Sequence, residues 1–326
     1  MTLKNLAKLA DVSVATVSKA FSGSDEISDE TRERIFSLAR ELGCFDKYNK
    51  NKFDKKVIAV ICPELNSDYY NAFTAILNQE IAAQGGLMTV SVSDFSAERT
   101  AELFSYYTSY CKVDGVIILC SAEKVKNPTL MPAVVIGPYM GSESIDAVQL
   151  NWRVAIQDVV SYLQQHGHTE IGYIGEKLTH SKMDLLKQEL VAHDLPVREE
   201  FFRVSNQRFE DAGIELMEEW LQEGTPLPTA IVAAYDHIAL GAMQVLRRHN
   251  IRIPEDISII GSDDIAVASY LETSLSSIRS HVEEACGTAV ELIMKKIKNQ
   301  HYRARREILL HSEFVPRATS GDAPQR

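Results

Sequence analysis

The chain reads as an α/β protein with a small helical head: an N-terminal helix-turn-helix three-helix domain, then a two-lobed core with parallel sheets. Three observations predict this. The first 43 residues hold three capped amphipathic helices. From Val57 onward, apolar runs of strand length alternate with helical stretches. That alternation then runs a second time, which means two parallel sheets in tandem.

In the head, Leu6, Ala7 and Ala10 repeat at helical spacing. Asp11 breaks that helix, since Asp tolerates the left-handed backbone of a tight turn. Ser13 caps a second helix. Val17 and Ala20 face inward, which leaves Val14, Ala15, Thr16, Ser18 and Lys19 pointing out, where base edges and phosphates lie in helix-turn-helix complexes. Ser28 caps a third helix whose expected buried stripe is Ile35, Leu38, Ala39 and Leu42, and Gly43 ends it.

A length of 326 residues exceeds one ordinary core. No apolar run nears the ~20 residues of a membrane span, and Lys4, Lys8 and Asp11 interrupt any leader-like stretch. The five cysteines lack metal-ligand spacing, and Cys62 and Cys120 read as buried small hydrophobes. Reduced thiols and a cytoplasmic location are expected. The net charge of −11 is unevenly placed. Residues 1–56 carry 11 basic and 9 acidic side chains, a balance of +2; the remainder carries −13. Five lysines fall between Lys47 and Lys56. The front end is the part suited to phosphates.

Strand-like runs occur at Val57–Cys62, Met88–Val92, Val113–Leu119, Ala133–Gly137 and Ala147–Leu150, then at Ile171–Gly175, Phe202–Val204, Ala230–Ala233 and Ile257–Gly261. Ligands of open parallel sheets sit beyond the carboxyl ends of the strands. Two facing lobes share one such cleft, which points to Tyr69, Tyr70, Asn151, Lys182, Tyr235, Asp236 and Asp263. An enzyme is disfavoured. The sequence has no phosphate-cradling glycine loop, no His/Cys metal cluster and no nucleophile elbow, and no cofactor is expected.

The motifs Leu9–Lys19, Ile27–Ile35, Val113–Ile117, Gly167-His168, Ala234–Ala242, Ile253–Asp264 and Phe314–Arg317 fall in one order along the chain. On them the chain resembles the lactose/galactose-repressor family of transcription regulators. The resemblance implies a homodimer on near-palindromic operator DNA, without membrane contact. It also implies a periplasmic-binding-protein-like core that senses a sugar or sugar derivative, as in repressors of carbohydrate-utilisation genes. The expected domains are a head at 1–46, a basic shortened hinge at 47–56 and a core at 57–326. Within the core, one lobe is expected at about 57–165 and 281–311, the other at about 166–280 and 312–326.

Carried over by position, Val14, Ala15 and Lys19 read bases, and Ser13, Thr16, Ser18, Ser22, Ser28 and Thr31 lie toward phosphates. Val14 and Ala15 can only pack on a thymine methyl, or else pack within the bundle, so Lys19 is the main polar reader. The linker lacks the family's proline and its Ala-Arg-x-Leu helix. Lys50 and Lys52 offer phosphate contacts instead, and Phe53 is either a minor-groove wedge or a residue packed on the core. In the cleft, Lys182 stands where the family usually has arginine, Tyr235 where it has asparagine, and Arg208 near a usual aromatic. Lysine cannot reproduce a bidentate fork. Lys182 with Arg208 suits an anionic ligand such as a sugar phosphate or sugar acid; both are otherwise solvated rim charges.

Overall fold

A computed structural model describes residues 1–48, 54–111, 113–128, 130–141, 144–299 and 304–325. The chain forms two compact units, Met1–Lys56 and Val57–Arg326.

The first unit contains α1 (Leu3–Leu9), α2 (Val14–Phe21), α3 (Asp29–Glu41) and a short α4 (Phe45–Tyr48). Side-chain caps start the first three: Thr2 accepts from the Asn5 N–H, Ser13 from Thr16 and Ser28 from Thr31. Asp11 makes the turn at φ 51°, and Gly43 ends α3 at φ 61°, a conformation that costs glycine no Cβ clash. Leu6, Ala7, Ala10, Val17, Ala20, Phe21, Ile35 and Ala39 are buried together. Leu42 departs from expectation. The helix stops at Glu41, so Leu42 is its cap residue and lies exposed. Aromatic rings close that end instead. Phe36 lies 5.0 Å from Phe21 and 5.1 Å from Phe45, and Tyr48 lies 5.9 Å from Phe21. The Tyr48 hydroxyl also donates to the Met1 carbonyl at 2.7 Å. Lys47 and Tyr48, expected in the linker, are therefore held by the head. Lys50, Lys52 and Phe53 lie outside the described residues.

The second unit begins with β1 (Val57–Cys62), α5 (Asp68–Ala83), β2 (Leu87–Val92), α6 (Ala97–Ser109), β3 (Gly115–Leu119), β4 (Ala133–Ile136) and β5 (Asp146–Asn151). It continues through α7 (Trp152–Gln165), β6 (Ile171–Glu176), α8 (His180–Ala192), β7 (Phe202–Ser205), α9 (Phe209–Glu223), β8 (Ala230–Ala233), α10 (Asp236–Arg248), β9 (Ser258–Ile260) and β10 (Ser277–Arg279). It ends with α11 (Val282–Lys298), β11 (Glu307–His311) and β12 (Glu313–Val315). One sheet runs β11-β5-β4-β3-β1-β2 and another β7-β6-β8-β9, and every pairing in both is parallel. Such strands, covered on both faces, are almost continuously apolar, as in β1 and β3.

The chain passes between these sheets three times. It leaves the first at Asn151, returns with α11 and leaves again after β11, when β12 pairs antiparallel with β10. The helix Trp152–Gln165, expected in the first lobe, belongs to the second. Its stripe of Ala155, Ile156, Val159, Val160 and Leu163 is buried with Leu186 and Leu190. The crossing thus comes about a helix length earlier than periodicity alone suggested. Near it, the Asp264 carboxylate accepts from Arg279 and Arg317, and Arg279 also donates to Glu313, which ties the crossing segments together.

Candidate functional sites: an exposed helix face and an interlobe cleft

On α2 the burial pattern separates two faces. Val17, Ala20 and Phe21 are buried, whereas Val14, Ala15, Ser18 and Lys19 are exposed and Thr16 is half-buried. Val14 is 41% exposed, which decides against its packing within the bundle. Ser13 and Thr16 share a 2.8 Å hydroxyl contact, Ser22 donates to the Lys19 carbonyl, and Ser28 donates to Thr31 at 2.9 Å. Lys19 pairs with Glu26 across the turn. Both groups are exposed, and such pairs contribute little, so the ammonium is readily released to a better acceptor. Sequence reading missed Arg32, whose guanidinium donates to the Ser24 carbonyl at 2.8 Å and to Asp29 at 2.9 Å and so braces the loop before α3.

The second unit holds a cavity of about 210 Å³ between its two sheets, built on loops at the carboxyl ends of the strands. Glu64, Ser67, Tyr69 and Tyr70 follow β1, Phe95 follows β2 and Trp152 follows β5. From the other sheet come Glu176, Lys182, Arg208, Phe209, Tyr235, His237 and Asp263. Two glycines bring the α9 and α10 N-termini side by side. A Cβ on Gly213 would strike the Ile238 carbonyl, and one on Gly241 the Glu210 carbonyl. That close approach places Arg208 and Phe209 beside Tyr235 and His237.

The cavity's charges are paired within the protein. The Arg208 guanidinium forks onto Glu64 at 2.6 and 3.0 Å, while its Nε reaches both Glu176 oxygens at 3.1 Å. The Tyr235 hydroxyl donates to Glu176 at 3.1 Å and accepts from the Phe209 N–H at 3.0 Å. Lys182 donates to the Ala234 carbonyl at 2.7 Å, sits 3.8 Å from Asp263 and lies 4.0 Å from the Trp152 ring. Burial pushes the Lys182 ammonium below its usual range, an effect that Asp263 opposes. Burial likewise pushes Asp263 above the usual carboxylate range, against the pull of Lys182. Desolvation also raises the Tyr69, Tyr70 and Tyr235 hydroxyls, so all three are neutral hydrogen-bonding groups.

Two expected cleft residues stand elsewhere. Asp236 is fully buried; it accepts from the Ser277 hydroxyl at 2.6 Å and the Ile265 N–H at 2.8 Å. It anchors the loop that presents Asp263 and does not itself line the cavity. Burial holds its carboxyl well above the usual range. Asn151 lines an adjoining recess of about 550 Å³ and caps α7 through the Arg153 N–H. Cys120, expected to be buried, is half-buried in the same recess. The residues that sequence reading missed, chiefly Glu64, Phe95, Trp152, Glu176, Phe209 and His237, all lie at or just beyond the ends of strands. The strand-end argument could have reached Glu64 and Glu176. Nothing local marks Phe95 and Phe209, whose positive φ values of 57° and 56° turn their rings inward.

Comparison with known proteins agrees with both units. The family model for bacterial regulatory proteins, lacI family, matches residues 2–44, and the model for a periplasmic binding protein-like domain matches residues 160–320. The chain is 27% identical over 337 residues to the probable HTH-type transcriptional repressor ExuR of Bacillus subtilis (strain 168), covering 97% of each. It is 28% identical over 338 residues to the HTH-type transcriptional repressor CytR of Escherichia coli (strain K12), covering 99% of this chain and 97% of that one. In fold it is similar to a crystal structure of the lac repressor dimer bound to operator and the anti-inducer ONPF. The TM-score is 0.70 at 21% identity, with 98% of this chain and 99% of that chain covered. The sequence motifs, the two-unit fold and these matches over nearly the full length converge: the chain joins a lacI-family helix-turn-helix domain at residues 2–44 to a periplasmic binding protein-like domain at residues 160–320, and the relatives it matches end to end are helix-turn-helix transcriptional repressors.

Proposed function

We propose that the chain represses carbohydrate-utilisation genes from the cytoplasm. It binds a near-palindromic operator as a homodimer and senses a neutral, polyhydroxylated metabolite in the interlobe cavity. No described helix is long and apolar enough to cross a membrane. Two half-sites need two reading heads, hence the dimer. Lys19 reads a base edge, Val14 and Ala15 pack on thymine methyls, and Ser13, Thr16, Ser18, Ser22, Ser28 and Thr31 meet phosphates.

The observation that carries the ligand class is the pairing of the cavity's cations. Arg208 is held by two carboxylates and Lys182 faces a third, so neither charge is free for an anion. This argues against the sugar phosphate or sugar acid that Lys182 and Arg208 suggested from sequence. Aromatic rings at Tyr69, Tyr70, Phe95, Trp152, Phe209 and Tyr235 offer flat apolar faces, and Asp263 and Lys182 offer an acceptor and a donor for hydroxyls. Thermal unfolding of the full chain against neutral sugars, nucleosides, sugar acids and sugar phosphates tests this. A neutral compound should raise the Tm, and Lys182→Ala should abolish that rise. A response confined to anionic compounds contradicts it.

A further inference from the structure

We infer that Arg208 is a latch that holds the two lobes together across the cavity. Its guanidinium is treated as a bound ligand would be. Glu64 of the first lobe takes it in a bidentate fork, and Glu176 of the second lobe takes its Nε. Planar two-point pairing of this kind fixes orientation as well as charge. Aromatic rings from both lobes flank it, with the Phe95 centroid 5.4 Å and the Phe209 centroid 4.7 Å from the guanidinium carbon.

The backbone supports the same reading. Phe95 and Phe209 both adopt left-handed φ values, as does Asp94 beside the first. Bulky residues rarely take that region, and it persists only where surrounding contacts impose it. Here both strained positions present a ring to the same guanidinium from opposite lobes. A second crossing contact lies alongside. The His237 ring, on α10, is 3.0 Å from Asp68 at the start of α5 and 2.6 Å from Glu210 on α9. The Glu64 carboxylate is largely buried, so the fork is less screened than a surface pair.

The latch concerns closure alone and is independent of which metabolite the cavity takes. Acrylamide quenching of tryptophan fluorescence in the ligand-free full chain tests it. The chain has two tryptophans. Trp220 is fully buried, while Trp152 lines the cavity and reports its opening. Glu64→Ala should raise the quenching constant severalfold, and Trp152→Phe in the same background should erase the rise. Added salt should raise quenching in the parent but not in Glu64→Ala. Asp256→Asn, which breaks the exposed Arg252–Asp256 pair away from the cavity and both tryptophans, should change nothing. Equal quenching of the parent and a cooperatively folded Glu64→Ala overturns the latch, and so does an equal rise in Asp256→Asn. If Glu64→Ala does not fold, a salt-insensitive parent overturns it by itself.

Discussion

Ser13 has two roles that one substitution separates. Its oxygen caps α2 through the Thr16 N–H at 3.0 Å, and its exposed position faces the expected phosphate path. Ser13→Ala should cost about 0.5–2 kcal/mol of head stability from the lost cap, read as a lower melting midpoint. Ser13→Asp should restore that midpoint while still weakening operator binding, because it places a carboxylate against phosphate. Lys19→Ala should leave the fold unchanged and cost about 1–3 kcal/mol of discrimination between cognate and mutated operators. His168 carries a pH dependence. It is fully buried, 2.9 Å from the Thr229 hydroxyl and 3.0 Å from the Gly321 carbonyl, and burial lowers its pKa below 6.5. The unfolded chain then binds the extra proton first. Its contribution to stability is full above pH 6.5 and is lost as pH falls from there toward the folded value. Urea midpoints measured across that window should fall on acidification, and the His168→Gln chain should show a shallower fall. At this scale the caps and the outward face of α2 were readable because they depend on neighbours three or four residues away. Arg208 was read as a free charge because its partners Glu64 and Glu176 lie 144 and 32 residues distant.

At the scale of elements, periodicity recovered β1 to β9 and most helices, since burial on two faces leaves an unbroken apolar run; it missed α11 and the short or half-exposed strands β10, β11 and β12. It did not assign α7 to its lobe, because an amphipathic stripe says that a helix packs without saying on which sheet. Nor did it find α4, whose four residues are too few for a period; aromatic contacts to Phe21 and Phe36 hold it. Phe45→Ala should therefore destabilise the head by about 1–3 kcal/mol, seen in its thermal midpoint, although sequence reading placed it at the edge of the linker. Gly213→Ala tests the α9–α10 contact. The added methyl meets the Ile238 carbonyl, and overpacking of this kind costs about 1–3 kcal/mol, readable as a lower urea midpoint with an unchanged m-value.

Over the whole molecule, charge divides the labour. Residues 1–56 hold a balance of +2 within a chain of net −11, so attraction to phosphate is concentrated at the head while the core repels it. The family resemblance was legible because its motifs are local and ordered. The chemistry of the cleft was not, because the side chains that neutralise its cations meet only after the lobes form. The central claim is that the exposed face of α2 selects a DNA sequence. Its most direct measurement is selection of bound genomic duplexes by the full chain at low salt, followed by footprinting of the enriched site. The account predicts one near-palindromic site with two protected half-sites, lost from the Lys19→Ala selection. Equal recovery of every duplex, or of none, contradicts it.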